Sequence, residues 1–104
     1  MKTFTYNATY GETEELFLTY DKKEKHIQLY TVEGEPYATV TTTCQGKRLN
    51  ENEVVVKNYS ENEGIPERLI ELGILTPLYS IRISPWCTVP VCRVEEKIYE
   101  YAEK

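Results

Sequence analysis

The sequence predicts an α+β domain in which a mainly antiparallel β-sheet of about six strands packs against one short α-helix. Three observations predict it. Apolar and polar residues alternate through most of the first 43 positions, the period of a strand with one buried face. Between Ile65 and Leu72 the spacing lengthens to that of a helix, and from Leu78 onward it returns to two. The length of 104 residues suits a single domain over 1–104, because a chain of this size removes roughly 65% of its unfolded surface from water and has no material for a second core.

The elements follow in order. Phe4, Tyr6, Ala8 and Tyr10 alternate with Thr3, Thr5, Asn7 and Thr9, which puts a hydrophobic row on one face of a first strand and a polar row on the other. Gly11 marks a turn. Leu16, Leu18 and Tyr20 continue the period, Asp21 to Lys25 reads as a hairpin loop, and His26 to Val32 forms a third strand. After the turn Glu33-Gly34-Glu35-Pro36, the stretch from Tyr37 to Cys44 carries threonines at 39, 41, 42 and 43, β-branched residues suited to a pleated, half-exposed surface. The opening is therefore a four-strand antiparallel meander. Gln45 to Asn52 is a polar connection, and Val54-Val55-Val56 is a short strand. Ile65, Leu69 and Leu72 then form one stripe of a helix, with Pro66 in its first turn and Gly73 at its stop. Tyr79, Ile81 and Ile83 alternate again. A further strand runs from Thr88 to Val94, where Pro90 predicts a sheet edge or a bulge. The acidic tail, Glu95 to Lys104, reads as a frayed helix or an extra strand, loosely ordered.

Seventeen acidic residues against twelve basic give a net charge of -5, which disfavours nonspecific attraction to nucleic acid or anionic lipid and favours a basic partner. No stretch approaches the ~18 apolar residues that cross a bilayer, and Met1 to Tyr10 lacks the apolar core of a signal peptide, so a cytoplasmic chain with no membrane contact is expected. Three cysteines, an odd number, predict reduced thiols rather than a disulfide framework. Zinc held by Cys44, Cys87, Cys92 and His26 is the sharper alternative. Against it, a separation of five along one strand puts Cys87 and Cys92 on opposite faces, ~16 Å apart, so no metal is expected and the thiols read as small buried hydrophobes. His26, the only histidine, opens a strand beside a charged loop, a solvated position. With no Gly-rich phosphate loop, nucleophile elbow or H-E-x-x-H pair, the chain reads as a non-enzyme without cofactor.

The acids are unevenly spread. From Glu51 to Glu71 there are six Glu against Lys57 and Arg68, whereas Leu72 to Val94 holds two Arg and no acid. On the predicted helix Glu63, Glu67 and Glu71 recur every four residues, a ridge of like charges costing about 0.2–0.5 kcal/mol per pair. Two readings stay open: a solvated helix face, or a rim that imitates phosphates and fits a basic groove on a protein partner. On the second reading Glu61, Glu63, Glu67 and Glu71 are the contact residues, joined by the aromatics Tyr59 and Trp86. Trp86 itself is either core or an anchor displayed by the loop that Pro85 begins.

Four stretches carry a family resemblance: Glu35-Pro36-Tyr37-Ala38, Leu49-Asn50-Glu51-Asn52-Glu53, the run Lys57-Asn58-Tyr59-Ser60-Glu61-Asn62-Glu63-Gly64 with its helix to Gly73, and Val89-Pro90-Val91-Cys92. Together they resemble a family of small proteins carried by bacterial mobile elements, chiefly conjugative plasmids, integrative elements and phages. The resemblance covers residues 27 to 94, and the segment from Asn58 to Gly64 is its most specific part. Within that family the chain is similar to an anti-CRISPR inhibitor of type II-A systems. The resemblance implies direct binding to a CRISPR effector nuclease and brings no catalytic motif; the acidic ridge adds the expectation that guide-RNA loading is the step hindered, and the negative charge that nucleic acid is not contacted directly. The alternative it implies is an accessory protein of plasmid transfer or maintenance that acts by protein–protein binding.

Overall fold

Phe4 and Tyr6 are buried while Thr5 and Asn7 are exposed, and this two-residue period makes β1 (Phe4–Asn7) an edge of the first sheet. The computed structural model describes residues 2–7, 12–42, 49–59, 62 and 64–102. β2 (Thr13–Asp21), β3 (His26–Thr31) and β4 (Pro36–Thr39) follow β1 as antiparallel neighbours in chain order, the meander that the alternation predicts. Its register sets Leu16 opposite Phe4, Leu18 opposite Leu29 and Tyr20 opposite Ile27, so one apolar face runs across the sheet.

The predicted fourth strand does not continue to Cys44. The chain leaves the first sheet after Thr39, and β5 (Thr41–Thr42) belongs to a second one; residues 43–48 lie outside the described residues. Val40 is the pivot. Its N–H donates to Ile27 O at 2.9 Å and its carbonyl accepts from Lys57 N at 2.8 Å, so one fully buried residue is bonded toward both sheets. The second sheet has the order β5-β6-β8-β7, with β6 (Glu53–Val56), β7 (Leu75–Ser84) and β8 (Cys87–Val94). Two four-stranded sheets thus replace the single sheet of about six expected from sequence. They share a core in which Leu18, Leu29, Val40, Val54, Cys92 and Val94 meet.

β7 changes face along its length. Leu75 pairs with Val94, but the register slips between Pro77 and Tyr79, and Ile81 then pairs with Val89. An extra residue inverts the alternation. Ile81 and Ile83 consequently join Val55, Val89 and Val91 in a smaller apolar cluster on the far side of the sheet. Pro90, expected at an edge or bulge, lies on the interior strand β8. β6 pairs with β8 only from Val91 to Arg93, so the proline stands just past that pairing, in the two-stranded part of the sheet.

α1 (Ile65–Glu71) buries Ile65, Pro66 and Leu69. Gly64 precedes it at φ 93°, a left-handed conformation that side chains resist. At the other end Gly73 N donates to Ile70 O and Ile74 N to Leu69 O, both at 3.0 Å. These are the two bonds of a Schellman stop, and Gly73 supplies its φ of 80°. The described part of the tail, residues 95–102, packs against the core. A second helix, α2 (Ile98–Tyr101), inserts Ile98 and Tyr101 into the core, and Tyr101 meets Phe4 edge-on at 5.8 Å. Ala102 adds a parallel bridge to Leu18, where β2 runs beyond β1. No helix among the described residues is long and apolar enough to cross a membrane.

One lysine joins the two sheets. The Lys25 ammonium donates to Asn50 O at 2.6 Å, Glu51 O at 3.0 Å and Glu53 O at 3.1 Å, tying the β2–β3 turn to the entry of β6. Lys25→Met keeps the stem and removes all three bonds. A loss of about 1.5–3 kcal/mol in urea denaturation is expected, the range for hydrogen bonds to a charged group. A loss below ~0.5 kcal/mol, the scatter of ordinary surface substitutions, would show that water replaces the ammonium without cost.

Candidate partner-binding surface

The stripe that buries Leu69 turns Glu67 and Glu71 outward, and both are exposed. Arg68, between them, is committed to the fold: its Nε donates to Thr5 O at 2.7 Å, and its guanidinium pairs with the Glu71 carboxylate. Arg68 therefore docks α1 on the edge of β1 and partly neutralises Glu71. Glu67 has no side-chain partner among the described residues. Glu63, the remaining acid of the expected ridge, and Glu61, a further expected contact, lie outside the described residues.

The same end of the molecule carries acids from a distant part of the sequence. Register puts Glu14 opposite Tyr6, whose ring meets Tyr37 edge-on at 6.3 Å. The Tyr37 phenol is held above its usual range, first by burial, then by Tyr6, and then by the Glu14 and Glu12 carboxylates nearby. On the other flank a Cβ at Gly64 would stand 3.0 Å from the Tyr6 hydroxyl, so glycine lets the start of α1 close on this ring. An open groove between β1 and α1, lined by Thr5, Asn7, Glu67, Arg68 and Glu71, completes the surface. Tyr6 thus links the two sets of acids: Glu14 is its partner across β1–β2, with Glu12 just before β2, and Glu67 and Glu71 share the groove that Tyr6 lines. Sequence reasoning missed this pairing because only the docking of α1 on β1 creates it.

Not every acid between Glu51 and Glu71 contributes. Glu53 is buried, and its carboxylate accepts from Asn50 N at 3.0 Å and Asn50 Nδ2 at 3.2 Å. Glu51 pairs with Lys22 at 3.0 Å. The two aromatic candidates stand apart. Tyr59 is exposed in the connection between β6 and α1. Trp86 is 95% exposed at the tip of the β7–β8 hairpin, where Pro85-Trp86 forms the two-residue turn; it is displayed, not core. β7 starts at Leu75 beside α1, and its ten residues carry the tip about 30 Å away at ~3.3 Å per residue. Trp86 and the α1 carboxylates therefore do not form one constellation.

Two residues of the connection between β6 and α1 have structural duties. Asn62 is buried, and its Nδ2 donates to Thr39 O at 2.6 Å, holding the loop against the end of β4. Gly64 supplies the left-handed entry to α1 described above.

Among the described residues no group of His, Cys, Asp and Glu is placed to hold a metal ion. Cys87 and Cys92 lie on one continuous strand and face different apolar clusters, as their odd separation predicts, and Cys44 lies outside the described residues. Burial pushes the Cys92 thiol up to about 11. His26 is exposed at the start of β3, opposite Asp21. With peptide mass mapping at pH 8, Cys92 should alkylate on the order of 100-fold more slowly than an ordinary thiol, because burial lowers its thiolate fraction. Unfolding should abolish the difference; equal rates in the native protein would show that Cys92 is open to solvent. No family model, curated protein or solved structure matches the chain.

Proposed function

We propose that this chain works by binding a protein partner with a basic surface, and that the surface it uses is the acidic end built from β1, β2 and α1. The observation that carries the reading is an open groove lined by Glu67 and Glu71 together with Tyr6, the residue whose partner across β1–β2 is a further acid, Glu14. A type II CRISPR effector nuclease is the partner that the sequence resemblance implies. Such an effector holds its guide and target in positively charged channels. Guide binding there depends on phosphate contacts, and fixed carboxylates compete for the same lysines and arginines. The protein is then an inhibitor of guide-RNA loading in the host cytoplasm, acting by occupancy and not by catalysis. Trp86 offers a separate aromatic anchor for a second contact, a role in which exposed tryptophans are frequent.

Titration of purified apo-effector with the protein tests the reading. Binding is expected, and it should weaken as salt rises, since exposed charges are screened over ~8 Å at physiological ionic strength. Absence of binding to several type II effectors at micromolar concentration would defeat the assignment in favour of an accessory role in plasmid transfer or maintenance.

A further inference from the structure

At the opposite end of β2 the chain forms a second, smaller cleft of about 160 Å³, bounded by Tyr20, Lys22, Glu95, Glu96 and Tyr99. Its position is set by the fold. Tyr20 stands near the end of β2, and Glu95 follows β8, with its N–H donating to Ile74 O at 2.8 Å. Tyr99 is carried by α2. The two rings lie 6.0 Å apart at 50°, an open angle with neither ring stacked on the other. Tyr99 remains more than half exposed, so one wall of the cleft faces solvent.

The charges of the cleft are unequal. Glu95 is fixed through one oxygen only: Oε2 accepts from Thr76 Oγ1 at 2.6 Å and from Arg93 Nε at 2.8 Å. Glu96 is exposed and has no side-chain partner among the described residues. The single cation of the wall, Lys22, is already paired with Glu51 at 3.0 Å. Two tyrosines and two carboxylates thus line a space equal to about five waters at ~30 Å³ each. That is room for the head of one side chain, not for a nucleotide. Ring faces and carboxylates both attract positive charge, and the rings add preference for a weakly hydrated, planar cation.

We propose that this cleft receives a cationic side chain, an arginine or a lysine presented by a protein partner, held by the Tyr20 and Tyr99 rings and the Glu95 and Glu96 carboxylates. Lys22 competes with that guest from the rim. Burial, with Tyr99 next to it, holds the Tyr20 phenol above its usual range, so its hydroxyl stays protonated beside the guest. The site goes beyond the acidic end described above. Tyr20 lies seven residues along β2 from Thr13, about 23 Å at ~3.3 Å per residue, and the cleft is testable without any effector.

Amide spectra of the full chain should be followed by NMR during titration with N-acetyl-arginine methylamide and N-acetyl-lysine methylamide. The corresponding citrulline and glutamate compounds are the neutral and anionic controls. Saturable shifts at Tyr20, Glu96 and Tyr99 are expected with the cationic probes alone. Glu96→Gln and Tyr99→Leu should each weaken binding about threefold or more, and Lys22→Met should strengthen it, as loss or gain of a cation contact at a partly exposed site implies. All three positions are exposed or half-exposed, and unchanged spectra elsewhere will confirm that the variants are folded. An equal response to citrulline overturns the proposal, as does the absence of a saturable shift at the solubility limit of the probes. A preference for the glutamate probe, lost in Lys22→Met, would show an anion site and overturn it as well. None of these results bears on effector binding by the acidic end, so the two readings fail separately.

Discussion

Leu69→Ala should lower folding stability by about 2–5 kcal/mol, the range for emptying a fully buried leucine site. Leu69 has no solvent exposure, and it sits where α1 meets the core shared by both sheets. Its carbonyl also accepts the Ile74 N–H that closes the helix, so a shift of this residue loosens the entry to β7 as well. Denaturation should show a lower midpoint with an unchanged slope, the signature of lost stability without a change in the surface exposed on unfolding. Glu67→Ala, two residues away on the outer face, should stay within ~0.5 kcal/mol of the parent. An unchanged midpoint in Leu69→Ala would place the stripe in solvent and remove the basis for how α1 presents its carboxylates.

The double reversal Glu12→Lys with Glu67→Lys should cost at least about tenfold in affinity for a basic partner, equal to about 1.4 kcal/mol. It places one cation in the groove and another in reach of Tyr37, and touches neither Arg68 nor its bond to Thr5 O. Reversing Glu71 is the less informative choice, because a lysine there would repel Arg68 and disturb the docking of α1. Net charge alone does not explain the expected effect. Glu24, exposed in the β2–β3 turn at the far end of the sheet, provides the control. Glu24→Lys and Glu67→Lys change the charge equally, yet only the second should weaken binding by more than about threefold, because at ~8 Å screening the attraction is local. Equal losses would mean that the partner senses total charge and no particular face.

How much of this was legible in the sequence depended on the range of the contacts. β1 to β4 are hairpin neighbours, and the alternation of Phe4, Tyr6, Leu16, Leu18 and Tyr20 reports their common buried face directly. The α1 stripe and its Gly73 stop were legible for the same reason, since every determinant lies within ten residues. The second sheet was not. Its central pairing sets Val54 opposite Cys92, and β5 is only two residues long, so neither periodicity nor propensity marks it. The slip between Pro77 and Tyr79 hides further which side chains face which core. α2 is too short to show a helical stripe, and its burial comes from contacts with Phe4 and β2. Among the candidate contacts, Pro85 beside Trp86 was a readable sign of display, while the place of Glu14 opposite Tyr6, which lines the α1 groove, needed the fold. Asn62 and Gly64 show the converse: a segment that looks distinctive in sequence can owe that to a buried hydrogen bond and a left-handed turn.

The most direct test of the proposed activity is target-DNA cleavage by a purified type II effector, with the protein added either before or after the guide RNA. If the acidic end competes with guide phosphates, inhibition should be strong when the protein meets the apo-effector and weak once the guide is seated. The Glu12→Lys, Glu67→Lys variant should lose the inhibition seen in the first order of addition. Equal inhibition in both orders would contradict the account, and so would a double-reversal variant that inhibits as well as the parent.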